Sequence, residues 1–429
     1  MKITILTYGS AGDVFPYISL TLGLMERGHE VKLAAPQNFE SYITEYKINY
    51  VPLHGDTHAL LESDQGMKLL ASGDFKSFFK ELSKMSFAIR FELVHDVLAA
   101  CKGSELIIGG TLMHNAAAIM SEKLEIPFMM ANVNPINVET GAFPHFLTSQ
   151  RILPFSFLNR LTYKLAFKSW NKQLIVQINE WRKDIGLAPA KTNVFLQFKK
   201  LKVPILHGYS HYLLERPIDW DSHIAVTGVW KLNTKHAPAE PQNEEFVNWL
   251  KEGRPPIYFG FGSMPILNPK EMFQMINEIC DEMGLRAIIN AGWSKFDEGN
   301  SGLNNSVYLI KNANFEWLFP RCSIVVHHGG VGTTHLGIEA GVPTIICSIF
   351  FDNPLWGEQI KRLKIGTHIR FKDLSKKRII KAIKQLQNDK IKETSMQIGR
   401  KMIAENGLKT AIELIEKYFP LAPIYSNEI

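Results

Sequence analysis

Apolar and polar positions follow one another along the chain in blocks whose lengths predict strands followed by helices. The first block is an apolar run at residues 3–7, followed by a loop of small residues and a helical period at residues 17–27. A second apolar run at residues 31–35 completes a strand–helix–strand unit, and residues 106–108 and 128–131 are further candidate strands. This pattern predicts a parallel sheet with helices on its faces.

The same alternation resumes after a polar stretch at residues 235–242 that contains two prolines. Apolar runs at residues 257–261, 286–290, 307–310, 323–326 and 344–348 are predicted strands, and residues 269–284 have a helical period. We therefore expect an α/β protein with two doubly wound units joined by one linker.

Composition places the chain among globular proteins with a sizeable core. Of 429 residues, 45% are hydrophobic and 21% are charged, which excludes wholesale disorder. The four cysteines are far apart, which argues against a disulfide framework or a thiolate zinc site and favours a reducing compartment. Because we find neither a signal-peptide pattern nor an apolar run of membrane-spanning length, we expect a cytoplasmic protein.

The formal net charge of +6 is unevenly distributed. Residues 361–401 contain 14 basic and 3 acidic residues, and residues 159–202 contain 10 basic and 2 acidic residues. Solvated helix faces explain such tracts, and so does peripheral contact with an anionic membrane. No nucleic-acid-binding motif accompanies the lysines, so we expect no nucleic-acid partner.

Two segments are rich in aromatic residues, at residues 53–101 and 143–170. Helix core is one explanation. The other is an apolar acceptor pocket or a pair of loops that lie against a membrane.

The strongest local motif is VVHHGGVGTT at residues 325–334, between a predicted strand and a helical stretch. Glycines at such a turn let the backbone approach a ligand, and the free N–H groups of the helix attract anions. His327 is placed to give a proton or a positive charge to a phosphate oxygen. Because His335 stands where a dinucleotide-binding motif has its last glycine, and no P-loop lysine follows, the turn is either a different phosphate-binding loop or only a tight turn.

Two more strand ends carry candidate chemistry. The turn FGFGSM at residues 259–264 offers Ser263 to a second phosphate, so the two turns would hold a diphosphate at one sheet edge. Asp352 and Asn353 place a carboxylate beside an amide, which suits sugar hydroxyls, although an Asx turn explains the pair equally simply.

Asp13 lies in the first strand–helix loop, within the sequence GSAGDVFP. One interpretation is that it caps a helix starting near Pro16. The other is that it is a general base facing a cleft.

Several metal-like patterns lack a convincing context. Asp219 and Asp221 form a DWD sequence next to the linker, and two pairs of histidines at residues 54/58 and 207/211 are flanked by Pro and Gly. We read the DWD sequence as surface and predict no metal site.

The motifs GSAGDVFP, FGFGSM, WLFPRCSIVVHHGGVGTT, AGVPTII and FFDNPLWGEQI together resemble glycosyltransferase family 1, in the branch of sterol 3-β-glucosyltransferases and antibiotic-aglycone glycosyltransferases. The resemblance spans the chain and is densest at residues 257–366. It implies the GT-B fold, with an acceptor domain at residues 1–230, a linker at 231–245, a nucleotide-sugar domain at 246–405 and a segment at 406–429 whose helix returns to the first domain.

The resemblance also implies a role for each motif residue. Asp13 matches the acid that deprotonates the acceptor hydroxyl, with Ser10 and Gly12 in the same donor-proximal loop. Asp352 and Asn353 match the pair that holds the sugar hydroxyls. The remaining donor-binding positions are the pyrophosphate residues His327, Gly329, Gly330, Gly332 and Thr333, with Ser263 opposite, and the nucleobase wall Trp293 and Ile310.

Three positions depart from the family pattern. Asn353 stands where Gln is usual, which shortens the reach toward the sugar. His335 stands where many members have a ribose-binding Glu, and Ala11 where Arg is common.

The expected activity is inverting, metal-independent transfer of a hexose from a UDP- or dTDP-sugar, with UDP-glucose favoured, to a hydroxyl of a bulky apolar acceptor. A nucleotide-sugar epimerase of the same fold is one alternative. A non-catalytic nucleotide-sugar binder is another, and it would be favoured if Asp13 served as a helix cap and no acceptor pocket existed. We expect no cofactor beyond the nucleotide sugar, and a monomer or weak dimer.

Overall fold

The computed structural model describes residues 1–56, 75–146, 152–191, 194–231, 243–261, 269–290, 305–311 and 314–420, with single positions at 59, 63, 66, 69 and 148. Most of the predicted linker lies outside the described residues, so the proposed domain boundaries remain predictions.

The first half of the chain forms a parallel sheet. Its strands are β1 (Lys2–Leu6), β2 (Glu30–Pro36), β3 (Asn49–Leu53), β4 (Leu106–Gly109), β5 (Phe128–Asn132), β6 (Ile205–His207) and β7 (Ile224–Val226). They lie in the spatial order β3-β2-β1-β4-β5-β6-β7. The described helices are α1 (Ala11–Glu26), α2 (Glu40–Thr44), α3 (Phe75–Ala88), α4 (Arg90–Cys101), α5 (His114–Leu124), α6 (Ser156–Asp184) and α7 (Val194–Leu201).

The second half repeats this architecture. Its parallel strands are β8 (Ile257–Gly260), β9 (Ala287–Asn290), β10 (Val307–Ile310), β11 (Ile324–His327), β12 (Thr344–Ser348) and β13 (Gly366–Arg370), in the order β10-β9-β8-β11-β12-β13. The described helices are α8 (Glu244–Lys251), α9 (Pro269–Met283), α10 (Phe315–Leu318), α11 (Val331–Glu339), α12 (Asn353–Arg362), α13 (Lys376–Leu386), α14 (Asp389–Ala404) and α15 (Gly407–Tyr418).

The strand order reverses at the same place in both sheets, between β1 and β4 and between β8 and β11. Doubly wound sheets bind ligands at the carboxyl ends of the strands beside such a reversal. The loop after β1 carries Asp13, and the turn after β11 carries the His-rich motif. The prediction of two doubly wound, Rossmann-like units is confirmed, and the topology brings a candidate residue to each reversal point.

The two sheets are joined by a shared core. Trp356 of α12 is fully buried, with its ring 5.8 Å from that of Tyr209 in the first half and 5.8 Å from that of His335 in the second. The last helix, α15, packs on α1, where a Cβ added to Gly23 would lie 2.6 Å from Cδ1 of Ile412. The two halves are therefore in direct contact at their facing edges, and the end of the described chain lies against the first half.

Among the helices that the structure describes, none combines the length and the apolar character that a membrane-spanning segment needs. In the aromatic segment at residues 53–101, the side chains of Phe75, Phe78 and Phe79 lie outside the described part of the chain.

Candidate active site

Helix α1 begins at Ala11. The predicted start near Pro16, five residues later, was therefore wrong. Ser10 occupies the N-cap position, and Asp13 lies in the first turn. The Ser10 backbone N–H and hydroxyl donate to Oδ2 of Asp13 at 2.9 and 3.0 Å. This reciprocal capping arrangement explains the early start, because it satisfies N–H groups that the helix itself leaves free.

The same contact fixes the position of the Asp13 carboxylate. Gly9 has φ +132°, and a Cβ there would lie 2.5 Å from Oδ2 of Asp13, so only glycine fits beside the carboxylate. Burial raises the pKa of Asp13, and the hydrogen bonds from Ser10 partly oppose that shift. A carboxylate with a raised pKa is a stronger base, which suits proton abstraction. Asp13 therefore combines a capping contact with the properties of a base.

The His-rich motif forms the predicted strand-to-helix turn. Helix α11 begins at Val331 with Gly330 as its N-cap. The first N–H groups of a helix have no intrahelical partner, and those of Gly332 and Thr333 lie in this first turn. A Cβ added to Gly332 would meet no atom of the described residues within 4 Å outside its own turn of helix, so within the described part of the chain the space above the turn is open. The backbone thus presents free donors to an open space, as a phosphate site requires.

His327 ends β11 and is fully buried. The Gly329 N–H donates to its Nδ1 at 3.0 Å, and Nε2 has no hydrogen-bond partner among the described residues. Burial, with a smaller contribution from His328, lowers the pKa of His327 well below its usual value. The ring is therefore neutral and carries its proton on Nε2. Of the two roles that the sequence suggested for His327, the structure favours an N–H donor over a positive charge.

The His-rich turn lies directly against the turn that carries the predicted sugar-binding pair. Gly329 has φ +98°, and a Cβ there would lie 2.7 Å from Cγ2 of Ile346 and 3.1 Å from Cβ of Asn353. Glycine is needed at this position for both reasons. The fold thus brings the phosphate-type turn and the Asp352–Asn353 turn together.

Asp352 is the N-cap residue of α12 and is buried. Its Oδ2 accepts hydrogen bonds from Nε1 of Trp356 at 2.8 Å and from Nδ2 of Asn134 at 3.3 Å. Burial raises the pKa of Asp352 to about 6, and the charge of Asp13 contributes in the same direction. Carboxylates from the two halves of the molecule are therefore close enough to influence each other across the cleft.

Three predicted nucleotide-sugar-binding residues remain. Two of them, Ser263 and Trp293, lie outside the described residues. Ile310 ends β10, but its side chain is buried in a core cluster with Tyr258 and Ile288, so any contact with a nucleobase would come from its backbone.

His335 does not face the open space above the His-rich turn. It is buried, its Nε2 accepts the backbone N–H of Ser210 at 3.1 Å, and its Nδ1 lies 2.6 Å from the Val331 carbonyl oxygen. Burial lowers its pKa to about 4, consistent with a neutral ring that donates from Nδ1. At the position where many family members have a ribose-binding Glu, this chain has a hydrogen bond between its two halves.

Three residues that the sequence analysis did not select line the facing edge of the first sheet. Asn134 donates to Asp352 and leaves its Oδ1 without a partner among the described residues. The amide atoms of Asn132 and Nε2 of His207 are likewise buried without a described partner. Each follows or ends a strand, so extending the strand-end rule to β5 and β6 would have found them. Asn132 pairs with His207 between β5 and β6, and Nδ1 of His207 lies 2.9 Å from the Asn134 carbonyl oxygen. The three residues therefore form a buried polar group that contacts Asp352 through Asn134.

The aromatic cluster of residues 143–170 divides into two parts. Phe143 and Phe146 are buried, and the Phe146 ring lies 4.9 Å from that of Phe351, next to Asp352. Phe155 and Phe157 are exposed and stack on each other. Part of the cluster therefore packs at the cleft and part lies on the surface.

The first aspartate of the DWD sequence is held in place by hydrogen bonds. The Asp219 carboxylate accepts from the hydroxyl of Thr140 at 2.7 Å, from the Gly141 N–H at 2.8 Å and from Nη2 of Arg160 at 2.8 Å. Across the described ranges, no group of three or more His, Cys, Asp or Glu side chains is arranged to hold a metal ion.

Two family models match separate parts of the chain. The glycosyltransferase family 28 N-terminal domain matches residues 3–141, and the erythromycin biosynthesis protein CIII-like C-terminal domain matches residues 288–416. The first contains the Asp13 loop, and the second contains the His-rich turn and Asp352.

Curated relatives match along nearly the whole chain. Sterol 3-beta-glucosyltransferase UGT80A2 of Arabidopsis thaliana is 31% identical, covering 98% of this chain and 66% of that protein. UGT80B1 of the same plant is 29% identical over 98% of this chain and 68% of its own length. The sterol 3-beta-glucosyltransferase of Yarrowia lipolytica is 33% identical, and there the match spans 97% of this chain but 28% of the relative. The chain thus spans between about a quarter and about two thirds of these relatives.

Solved structures share the fold at low sequence identity. The glycotransferase of kitacinnamycin superposes with a TM-score of 0.72 at 16% identity, over 98% of this chain and 99% of that one. The calicheamicin glycosyltransferase CalG4 gives 0.68 at 13% identity, over 97% of each chain. VinC, solved in complex with dTDP, gives 0.67 at 16% identity, over 97% of this chain and 99% of its own.

The expected likeness to sterol and antibiotic-aglycone glycosyltransferases is confirmed by these matches. The two halves, each with its own family model, have the two-domain architecture of the solved glycosyltransferases. The chain belongs to the GT-B glycosyltransferases, with a family 28 N-terminal domain and an EryCIII-like C-terminal domain.

Proposed function

We propose that this protein transfers a hexose from a nucleoside diphosphate sugar to a hydroxyl group of a bulky apolar acceptor such as a sterol. The observation that carries the proposal is the hydrogen bond from Asn134 of the first half to Asp352 of the second, at 3.3 Å. It brings together the carboxyl ends of the two parallel sheets, where the Asp13 loop and the His-rich turn also lie. The names of the curated relatives support a sterol or similar acceptor. UDP-glucose is the donor we favour, with a dTDP-hexose as the alternative.

In the proposed reaction, the acceptor oxygen attacks the anomeric carbon while its proton passes to the Asp13 carboxylate. The bond between that carbon and the diphosphate oxygen breaks, and its electron pair leaves with the diphosphate. Attack from the face opposite the leaving group inverts the anomeric configuration. The raised pKa of Asp13 makes it a better base than an ordinary carboxylate.

The diphosphate gathers negative charge as it leaves, and we assign its stabilisation to backbone and imidazole N–H donors. The first turn of α11 supplies the N–H groups of Gly332 and Thr333, and His327 supplies Nε2–H. These donors are fixed before the reaction and act without a metal in this scheme. Asp352 and Asn353 are proposed to hold the sugar hydroxyls.

The capping role of Asp13 does not favour a non-catalytic binder. The Ser10 backbone N–H and hydroxyl both donate to Oδ2 of Asp13. Oδ1 receives no hydrogen bond from Ser10, and we assign it to the acceptor hydroxyl. We propose a cytoplasmic location for the reaction and a monomer or weak dimer as its active form.

The decisive experiment incubates the purified chain with UDP-glucose or dTDP-glucose and a panel of sterol, lipid and aglycone alcohols, with product detection by mass spectrometry. Transfer gives an acceptor heavier by one hexose, and NMR of that product reports its anomeric configuration. An epimerase would change the sugar without needing an acceptor, and a binder would give no product. Either of those outcomes would overturn the proposal.

A further inference from the structure

Helix α6 carries a row of apolar side chains that face solvent. Phe157, Leu161 and Leu165 are four residues apart and therefore share one face, and they are 63%, 46% and 57% exposed. Phe155, just before the helix, is also exposed and stacks on Phe157 with the ring centroids 5.8 Å apart. Exposed apolar side chains grouped in this way mark a contact surface.

The same face is positively charged. Lys164, Lys168 and Lys172 are exposed and fall between the apolar residues on the helical face. No acidic residue occurs from residue 156 to residue 179, and no described acidic group lies within ion-pair distance of these three lysines. Arg160 differs, because it pairs with Asp219 at 2.8 Å. The exposed face of α6 is thus apolar and cationic at once.

The other basic tract, at residues 361–401, is partly neutralised. Arg370 and Arg378 both contact Asp373, and Lys376 contacts Glu278 and Glu282. Arg160 and Arg182 of the first tract are likewise paired, with Asp219 and Glu122. Both tracts keep most of their positive charge, and α6 differs in carrying its lysines among exposed apolar side chains.

The opposite face of α6 leads to the cleft. Tyr163, Phe167 and Trp170 surround the His145 ring at centroid distances of 5.2 to 5.8 Å. His145 stacks on Phe146, which contacts Phe351 beside Asp352. A surface bound at the outer face of α6 would therefore lie behind the loop that reaches the sugar-binding turn.

We propose that the outer face of α6, from Phe155 to Lys172, docks on an anionic lipid bilayer. The apolar side chains enter the region between headgroups and acyl chains, and the lysine ammonium groups contact lipid phosphates. Lysine stems can bury their methylene groups while the charge stays at the headgroups, which suits their position among leucines. An anionic bilayer uses both properties on one exposed helix face, and it would deliver an apolar alcohol close to the cleft.

The electrostatic part is tested by co-sedimentation of the full chain with vesicles of phosphatidylcholine containing about 30% phosphatidylglycerol. Replacing three lysines, Lys164→Gln with Lys168→Gln and Lys172→Gln, is expected to weaken binding roughly 100-fold at low salt, at about fivefold per charge. The matched control changes the exposed lysines of α13, Lys377→Gln with Lys381→Gln and Lys384→Gln. Equal losses in both variants, or no vesicle binding by the wild type, would overturn the proposal.

The apolar part is tested with Phe157→Ser combined with Leu161→Ser and Leu165→Ser. These side chains are exposed, so the variant is expected to keep its thermal midpoint and to lose the vesicle binding that survives high salt. Sedimentation velocity distinguishes the bilayer from a second copy of this chain, because a wild-type dimer dissociated by this variant would contradict docking on lipid. Vesicle binding needs neither donor nor acceptor, so its result is independent of the proposed transferase activity.

Discussion

The side-chain amide of Asn134 donates a hydrogen bond to Oδ2 of Asp352 across the cleft, at 3.3 Å. Asn134 follows β5 of the first half, and Asp352 is the N-cap residue of α12 in the second. The Asn134 Oδ1 atom is buried with no described partner. One residue of the first half is therefore in position to orient the carboxylate that we propose to bind the sugar, and its free Oδ1 would accept a hydrogen bond from a sugar hydroxyl.

Asn134→Ala is expected to raise the KM for the nucleotide sugar about tenfold, because one charge-assisted hydrogen bond is lost. Asn134→Asp should be worse at about pH 8 than at about pH 5.5, since a second carboxylate would repel Asp352 only when both are ionised. Initial rates against donor concentration at the two pH values check this. Equal behaviour of the two variants at both pH values would count against a direct contact with Asp352.

Asp13→Asn is expected to lower turnover by roughly 100- to 10,000-fold, the usual contribution of a general base. The amide oxygen still accepts from Ser10, so α1 should start at the same residue and donor affinity by calorimetry should change by less than about threefold. Ser10→Ala is the matched control, because it removes one hydroxyl contact and leaves the carboxylate. A turnover near that of the wild type in Asp13→Asn would exclude Asp13 as the base.

Two glycines of the His-rich turn should respond in opposite ways to the same change. Gly329→Ala is expected to destabilise the protein by about 1–3 kcal/mol, because its φ is positive and the new Cβ would lie 2.7 Å from Ile346. Gly332→Ala should leave the thermal midpoint unchanged or slightly raised, since it lies in a helix beneath open space.

Donor affinity separates the two variants further. The methyl group of Gly332→Ala would occupy the space assigned to the diphosphate, so UDP binding measured by calorimetry should weaken at least tenfold. Unchanged UDP affinity in this variant would move the phosphate site away from the turn.

Asp352 should make folding depend on pH with a defined sign. Its pKa is raised to about 6 in the folded chain from an ordinary value of 3.8. The native carboxyl thus takes up its proton at a higher pH than the unfolded one, and its unfavourable contribution is largest above pH 6 and disappears as pH falls toward 4. Asp352→Asn is expected to increase the free energy of unfolding by roughly 2–3 kcal/mol at about pH 8, and by little at about pH 4.

Thermal midpoints at the two pH values check this difference. Asp373→Asn is the control of opposite sign, because contacts with Arg370 and Arg378 lower the pKa of Asp373. That control should slightly lower the midpoint at about pH 8. A stabilisation by Asp352→Asn that is the same at both pH values would show that burial does not penalise the ionised carboxyl.

Much of the fold follows from local pattern. Buried parallel strands such as β1 and β11 are short, mostly apolar runs that are followed by glycine-containing turns, and the sequence locates them to within about two residues. Strands β6 and β7 have three residues each and show no usable period. Strand β3 contains a proline, which an edge strand tolerates and which hides it from a pattern search.

The sequence alone predicts a site residue only where that residue lies at or just after the end of a strand in its own domain. Asp13 and His327 could be found in this way, and the glycines beside them follow from turn chemistry. The contact of Asn134 with Asp352 joins residues 218 positions apart, so it depends on how the domains meet. The same holds for His335, whose position in the motif does not reveal that its ring points to Ser210.

The capping contact between Ser10 and Asp13 is local to the first half of the chain. It joins residues three apart, so the position of the Asp13 carboxylate does not depend on contacts with the second half. The carboxylate of Asp352, in contrast, has one of its two donors, Asn134, in the other half of the molecule. In the proposed reaction, local structure alone would therefore set the position of the base, whereas the group assigned to the sugar would be fully oriented only where the two halves meet.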